Sequence, residues 1–206
     1  MSGSPPDDIA AALERLHTEV DGDFDRTTAA LTIASGRSIG CRPGCCACCQ
    51  DGLSVFEVEA ERIRRWVGER AMAGMPAPTP HPAGRCAFLD ADGKCQVFVV
   101  RPYVCRSQGA ILGWSEDDRP DPAADDAPAE PSDADPWPQR ATCAEHLHGL
   151  DLSALPTGAV LPLGVREPQL VALATMALSR SGGRGLPPRI SLRRLARALQ
   201  RQAPPR

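Results

Sequence analysis

Large aromatic side chains are scarce in this sequence of 206 residues, because Phe, Tyr and Trp together make up only 4% of it. Such side chains usually dominate the burial of apolar surface in a protein core. Regular structure is limited as well, since 21 prolines and 18 glycines disfavour helix and strand interiors. We therefore expect a small regular core among long loops, held together by something besides apolar packing.

Long apolar runs are also absent. No stretch approaches the roughly 18 apolar residues of a membrane span, and the first residues, MSGSPPDDIAAALERL, lack the basic start and apolar run of a secretory signal. We expect a cytoplasmic protein without membrane contact. The formal net charge of −3 combines an acidic middle with a basic end, so the total indicates no partner.

Cysteine, by contrast, is abundant, with nine residues. Structural disulfides are rare in the reducing cytoplasm. The odd number of cysteines, and the adjacent pairs Cys45-Cys46 and Cys48-Cys49, also disfavour a simple disulfide framework. Thiolates bound to metal are the better interpretation.

Residues 1–36 are predicted to form an N-terminal helical segment. Ile9, Leu13, Leu16 and Val20 are spaced four, three and four apart, which places them on one stripe of a helix. We expect Gly22 to interrupt this helix and a second helix to continue to about residue 36.

Residues 37–114 are predicted to be the metal-binding core, which contains eight of the cysteines. A helix is expected near residues 56–71, where acidic residues precede basic ones. The runs CAFL and CQVF flank Asp-Ala-Asp-Gly-Lys, a pattern typical of a β-hairpin. The same turn lacks the further acidic ligands of an EF-hand loop, so calcium is not expected.

The rest of the chain divides into an insert and a helical end. Residues 115–138 are rich in Asp, Ala and Pro and predict a disordered acidic insert. Residues 139–206 predict a helical segment packed on the core, with Pro168 in the first turn of one helix and Ser191 capping the last. The whole chain is thus predicted to be a single, mainly α domain with a small β-hairpin, irregular and organised by metal.

The final predicted helix, LRRLARALQR, carries leucines on one side and arginines on the other. Arg193, Arg194, Arg197 and Arg201 are expected to form a solvated face of a packed helix. We do not expect this face to contact nucleic acid.

The densest cysteine motif is CRPGCCACC, residues 41–49. Thiolates two or three residues apart can reach one metal centre at about 2.3 Å, and Pro43-Gly44 supplies the turn. Adjacent residues such as Cys48 and Cys49 point in different directions, so two metals or one multinuclear cluster is our hypothesis. A structural zinc contributes roughly 10–16 kcal/mol to folding, about as much as the whole stability of a domain, so metal loss should unfold the core.

CRPGCCACC followed by CAFLDADGKCQVFVVRPYVCR resembles the YkgJ-type cysteine-cluster family, a zinc- or iron-chelating domain also associated with flagellin lysine N-methylases. The resemblance runs from Cys41 to Gln108. It implies bound Zn²⁺ or iron, the latter as an ion or an iron-sulfur cluster, and it names no reaction. The metal ligands that it implies are Cys41, Cys45, Cys48, Cys49, Cys86, Cys95 and Cys105.

Several residues are left open. Cys46 falls where the family tolerates other residues, and Cys143 lies outside the resemblance, so each is either a ligand or a packed thiol. His146 and His148 are either imidazole ligands or surface residues. Arg101 and Arg106 are expected to donate to cluster sulfurs or to the acidic helix, or else to form surface ion pairs.

Three functions remain compatible with these features. The first is a zinc-stabilised module whose insert or basic end meets a protein partner. The second is an iron-sulfur redox or metal-handling protein, and the third is an accessory component of a methylase-like protein-modifying system. The C-x3-C-x2-C spacing is typical of radical S-adenosylmethionine enzymes, but their βα barrel is not predicted here, and neither is the glycine-rich turn of a methyltransferase. Whether the chain is an enzyme is left undecided.

Overall fold

The computed structural model describes residues 7–39, 44–114, 139–143 and 145–202. Helices dominate these residues, as predicted, and the single mainly α domain is confirmed. The helices are α1 (Asp7–Ser35), α2 (Glu57–Met72), α3 (Tyr103–Arg106), α4 (Glu167–Arg180) and α5 (Leu192–Gln202), with 3-10 turns at Phe98–Val100 and Thr157–Ala159. The strands are β1 (Ser54–Phe56), β2 (Leu112–Trp114), β3 (Gln139–Ala141), β4 (Leu161–Pro162) and β5 (Arg189–Ser191).

Helix α1 is longer than the sequence predicts, and the predicted break at Gly22 is wrong. The buried stripe passes through this glycine to Thr27 and Leu31. A glycine inside a helix costs only about 1 kcal/mol relative to alanine, which continuous packing on both sides of it offsets. The helix ends where predicted, at Gly36, which has a φ of 67° and donates its N–H to the Thr32 carbonyl at 2.9 Å.

The other predicted helix starts are confirmed. Helix α2 begins within one residue of its predicted start, and Pro168 lies in the first turn of α4. The Ser191 Oγ accepts the Arg194 N–H at 3.2 Å, as expected of a residue that caps the N-terminus of α5.

The predicted β-hairpin is reduced to its turn and one antiparallel bridge, between Leu89 and Cys95. The Asp90 side chain holds the turn, because its Oδ1 accepts the N–H groups of Asp92 at 2.9 Å and Lys94 at 2.8 Å. No strands form beside it, because the chain enters the 3-10 turn three residues after Cys95. The prediction of two strands was therefore wrong in length, although the reversal of direction was right.

Two small sheets were not predicted. Strand β1 pairs antiparallel with β5, with Ser54 opposite Ser191. Strand β2 lies between β3, with which it is antiparallel, and β4, with which it is parallel. At two or three residues, such strands are too short to produce an alternating pattern in the sequence.

Three apolar clusters support the described residues. The first, which we call the cysteine-side core, joins α2, the segment 86–89 and α5, with Ile63, Phe88 and Leu195 almost wholly buried. The second joins α1, α4 and the start of α2. The third packs Leu31 of α1 against the segment 147–160. The cysteine-side core also receives Cys46, Cys49, Cys95 and Cys105 as partly buried neighbours.

The predicted acidic insert, residues 115–138, lies outside the described residues. Within the described ranges, no helix is both long and apolar enough to cross a membrane.

Candidate metal centre

The segment between α1 and β1, residues 36–53, carries the first cysteines, and we call it the cysteine loop. It turns sharply within its described part. The Cys49 N–H donates to the Cys46 carbonyl at 3.0 Å, and the Gln50 N–H donates to the Cys48 carbonyl at 3.0 Å. Gly44 precedes the turn with a φ of 91°, a conformation that favours glycine. The thiols of Cys45 and Cys46 consequently face different parts of the protein, namely His146 and Arg85.

The loop is joined directly to the next cysteine. The Cys86 N–H donates to the Cys49 carbonyl at 3.0 Å, so two predicted ligands that are far apart in sequence become neighbours. Cys86 itself is buried. Cys95 follows on the far side of the Asp90 turn, and Cys105 lies in α3.

Five thiols from these segments interact with one another, and we call them the five-thiol group: Cys48, Cys49, Cys86, Cys95 and Cys105. A hydrogen bond between the Cys48 and Cys49 thiols lowers the pKa of Cys48 to about 6 and raises the pKa of Cys49. Burial and the charges of neighbouring thiols raise the pKa of Cys49 further. One proton is therefore shared by this pair at neutral pH.

Burial also raises the pKa of Cys86, Cys95 and Cys105. The Cys86 thiol contributes to the rise at both Cys95 and Cys105, and the Cys95 and Cys48 thiols contribute to the rise at Cys105. These contributions at Cys95 and Cys105 require the sulfurs to lie near one another, because charge interactions weaken with distance.

The donor set fits zinc or iron. Thiolate sulfur is the protein ligand that structural zinc and iron-sulfur clusters share. A metal bound here would displace the thiol protons that burial retains, since only the thiolate is a ligand. Among the residues that the structure describes, no three Cys, His, Asp or Glu side chains already surround one point at metal-binding distance. The thiols thus lie in one region of the core, and binding of an ion would require them to move closer to one another.

A buried carboxylate positions Cys105. Glu59 of α2 is 3% exposed, and its Oε1 accepts the Tyr103 N–H at 2.7 Å at the start of α3. The same oxygen lies 3.3 Å from Nε2 of the buried His17, whose Nδ1 contacts Arg62. This network ties α1 and α2 to the turn that carries Cys105.

Of the alternatives left open for Arg101 and Arg106, the structure shows ion pairs, and neither arginine donates to a cluster sulfur or to the acidic helix. Both guanidinium groups reach Asp21 of α1 instead. Arg106 is buried and also donates from Nε to the Arg101 carbonyl at 2.8 Å. The two arginines fasten the segment around Cys105 to α1, because Asp21 compensates their charge at a partly buried position.

Arg193 joins the cysteine loop to α5. The prediction that it lies on a solvated face was wrong. Its Nε donates to the Asp51 carboxylate at 2.8 and 2.9 Å. Its two terminal nitrogens donate to the carbonyls of His81 at 2.8 Å, Pro82 at 3.1 Å and Arg85 at 2.7 Å. One side chain therefore holds both flanks of the Cys49–Cys86 junction. Arg194 and Arg197, by contrast, are exposed.

The remaining candidate residues lie elsewhere. Cys45 faces His146, with 3.2 Å between Sγ and Nε2, and Cys46 accepts from Arg85 Nη1 at 2.8 Å. Cys143 is half-buried and His148 is exposed. Cys41 lies outside the described residues, and its assignment as a ligand stays a prediction.

Glu59, Arg193 and Asp51 were missed as positioning residues. Nothing in the local sequence distinguishes them from solvated charges on a helix or loop. Their partners include residues 42 to 142 positions away.

Thiols that converge from separated segments into one apolar core define the class of a cysteine-cluster metal-binding domain. Residues 40–125 match the model of the CxxCxxCC family, whose description reads "Putative zinc- or iron-chelating domain". The resemblance seen in the sequence is confirmed over this part of the chain. The chain has no significant match among curated proteins or solved structures.

Proposed function

We propose that the five-thiol group binds zinc or iron as a structural centre, and that the metal closes a fold which apolar packing alone does not hold. The observation that carries this proposal is the packing of Cys49, Cys86, Cys95 and Cys105, from separate segments of the chain, in one apolar core. A reducing compartment such as the cytoplasm would keep these thiols available.

The energetics support a structural role. Burial raises the pKa of Cys86, Cys95 and Cys105, so in the metal-free protein these thiols are neutral donors packed against apolar side chains. Metal binding exchanges their protons for bonds worth roughly 10–16 kcal/mol at a zinc site. That gain is comparable to the 5–15 kcal/mol by which a whole domain is stable.

A second candidate, an iron-sulfur centre in electron transfer or metal handling, is favoured by the adjacency of Cys48 and Cys49. Two neighbouring thiols suit ligation of different atoms of one cluster. As an accessory component of a protein-modifying system, the protein would be stabilised by either the zinc or the iron-sulfur centre.

Metal analysis of anaerobically purified protein distinguishes the two candidates. A broad absorption band near 400 nm together with iron and acid-labile sulfide would identify the cluster. Colourless protein with stoichiometric zinc would identify the structural zinc module. Native protein that contained neither metal and remained folded would contradict the proposal.

Single substitutions then test the ligand group. Cys86→Ser and Cys105→Ser should each lose metal and lower the melting temperature together, because both thiols serve the same centre. Cys46→Ser is the matched control, since its sulfur accepts a hydrogen bond from Arg85 Nη1 at 2.8 Å. Full metal content in both test variants would show that these two cysteines are packed thiols and not ligands.

A further inference from the structure

The closest contact between a loop cysteine and a histidine lies outside the five-thiol group. Cys45 Sγ and His146 Nε2 are 3.2 Å apart, although 101 residues separate them in the chain. Both residues are half-buried. Cys45 is directed toward the segment 143–150, and that segment lies beyond the part of the chain that matches the family.

The separation of these two atoms is close to that of neighbouring ligands on one ion. Zinc–sulfur and zinc–nitrogen bonds of about 2.3 and 2.05 Å at a tetrahedral angle place the two ligand atoms about 3.6 Å apart. The observed 3.2 Å therefore needs only a small opening to admit an ion. A neutral imidazole and a thiolate are also a common ligand pair for zinc.

The segment that carries His146 is held in place by the Arg37 side chain and by the burial of Leu147. Arg37, just beyond the end of α1, donates from Nη2 to the carbonyls of His146 at 3.3 Å and His148 at 3.2 Å. Leu147, between the two histidines, is 2% exposed and packs in the third apolar cluster. These contacts fix His146 toward the cysteine loop, while the side chain of His148 remains exposed.

Cys143 is a further thiol close to His146 in the sequence. Cys143 lies three residues before His146, and the His146 N–H donates to the Cys143 carbonyl at 3.3 Å. A spacing of two intervening residues is typical of ligand pairs within one turn of a zinc site. Cys143 is the nearest additional sulfur along the chain, and it is half-buried.

We propose that Cys45 and His146 bind a zinc ion between them, at a mixed sulfur–nitrogen site separate from the five-thiol group. Such an ion would join the cysteine loop to the segment 143–150, much as a disulfide joins two distant parts of a chain. This inference rests on the proposed function, because it assumes that the loop thiols bind metal. His146 would then be a ligand and His148 would not.

The test compares His146→Ala with His148→Ala in the full chain, both loaded with Zn²⁺ and with Co²⁺ as a spectroscopic probe. His146→Ala should bind about one zinc ion fewer per chain, and X-ray absorption should lose the nitrogen scatterer near 2.0 Å while the sulfur shell near 2.3 Å remains. His148→Ala is the matched control and should leave metal content and both shells unchanged.

Two further variants keep the test decisive if His146→Ala folds poorly. Cys45→Ser should lose the same ion as His146→Ala, whereas Cys46→Ser should not. His146→Cys should keep the ion and replace the nitrogen scatterer with sulfur, because thiolate also binds zinc.

The outcomes separate the two proposals. If both histidine variants retain full zinc content and an unchanged nitrogen shell, His146 is only hydrogen-bonded to Cys45 and this inference fails, while the thiolate centre stands. If the wild-type protein binds no metal at all, the proposed function and this inference fail together.

Discussion

Arg193 of α5 and Asp51 of the cysteine loop form an ion pair in which Nε lies 2.8 Å from Oδ1. The pair joins residues that are 142 positions apart, and the same guanidinium group donates to three carbonyls of the segment 81–85. The last helix thereby fixes the loop that brings Cys49 to Cys86.

Replacing Arg193 should loosen the metal centre without removing a ligand. Arg193→Ala leaves three carbonyls without their charged donor, so we expect a loss of about 1–3 kcal/mol in the free energy of unfolding and weaker retention of metal against a chelator. Urea unfolding and the rate of chelator-induced metal loss measure the two effects. Arg194→Ala, one position along and exposed, should change neither. Equal behaviour of the two variants would contradict the anchoring role of Arg193.

Leu195 tests whether α5 is part of the core that surrounds the cysteines. It is 0% exposed in the cysteine-side core, so Leu195→Ala should destabilise the protein by about 2–5 kcal/mol. Leu186 is 92% exposed, and Leu186→Ala is the control with an expected change within about 0.5 kcal/mol. Thermal unfolding of the two variants gives the comparison. A small effect at Leu195 would mean that the helix does not pack on the core in solution.

Gly93 lies against Cys46 in the turn between Cys86 and Cys95. Its φ is +76°, and a Cβ added there would lie 3.2 Å from Cys46 Sγ. Gly93→Ala should cost about 1–2 kcal/mol for the left-handed conformation and about 1 kcal/mol more for the crowding.

Gly84 provides the control for this substitution. Its φ is +98°, but nothing lies within 4 Å of an added Cβ, so Gly84→Ala carries the conformational cost alone. Adding Cys46→Ala to Gly93→Ala should remove the surplus, which denaturant unfolding of the three variants and the wild type measures. Equal losses in the free energy of unfolding for the two single glycine variants would show that Cys46 moves away from the added Cβ at no energetic cost.

His17 predicts a pH dependence of stability. Burial lowers the pKa of His17 below its usual 6.5, with the charges of Arg106 and Arg62 adding to the effect against the opposing influence of Glu59. The unfolded chain therefore takes up a proton at a higher pH than the folded protein does. The stability that the neutral His17 contributes is complete above about pH 6.5 and is lost as the pH falls toward the lower, folded-state pKa.

Urea unfolding at pH 7.5, 6.5 and 5.5 measures this dependence. The fall in free energy of unfolding toward acid should be shallower in His17→Gln than in wild type. His148→Gln changes an exposed histidine and should keep the wild-type slope. Metal content measured at each pH separates loss of metal in acid from protonation of His17. Identical slopes would exclude His17 as the responsive group.

The sequence predicted those parts of the fold that depend on local signals. Spacing of apolar residues located α2, and cap residues located the starts of α4 and α5. The break at Gly22 was wrong because the packing of Val20, Thr27 and Leu31 outweighs one glycine. Strands as short as β1 and β5 carry no periodic signal, and they form because tertiary contacts bring their ends together.

The candidate site was predictable only in its chemistry. The cysteine motif identified thiols as metal ligands, but the grouping of Cys48 with Cys105, and of Cys45 with His146, depends on how distant segments pack. The same holds for Glu59, whose carboxylate looks like any solvated helix charge until α3 is placed against it.

The pairing of β1 with β5 has a consequence for synthesis of the protein. Strand β1 contains Ser54, whose partner, Ser191, is made 137 residues later, and Arg193 follows it. A chain still emerging from the ribosome has its first loop cysteines long before it has the residues that hold that loop in place. Loading of the metal should therefore be completed after translation, and carriers that shield reactive thiols in the interval would favour correct assembly.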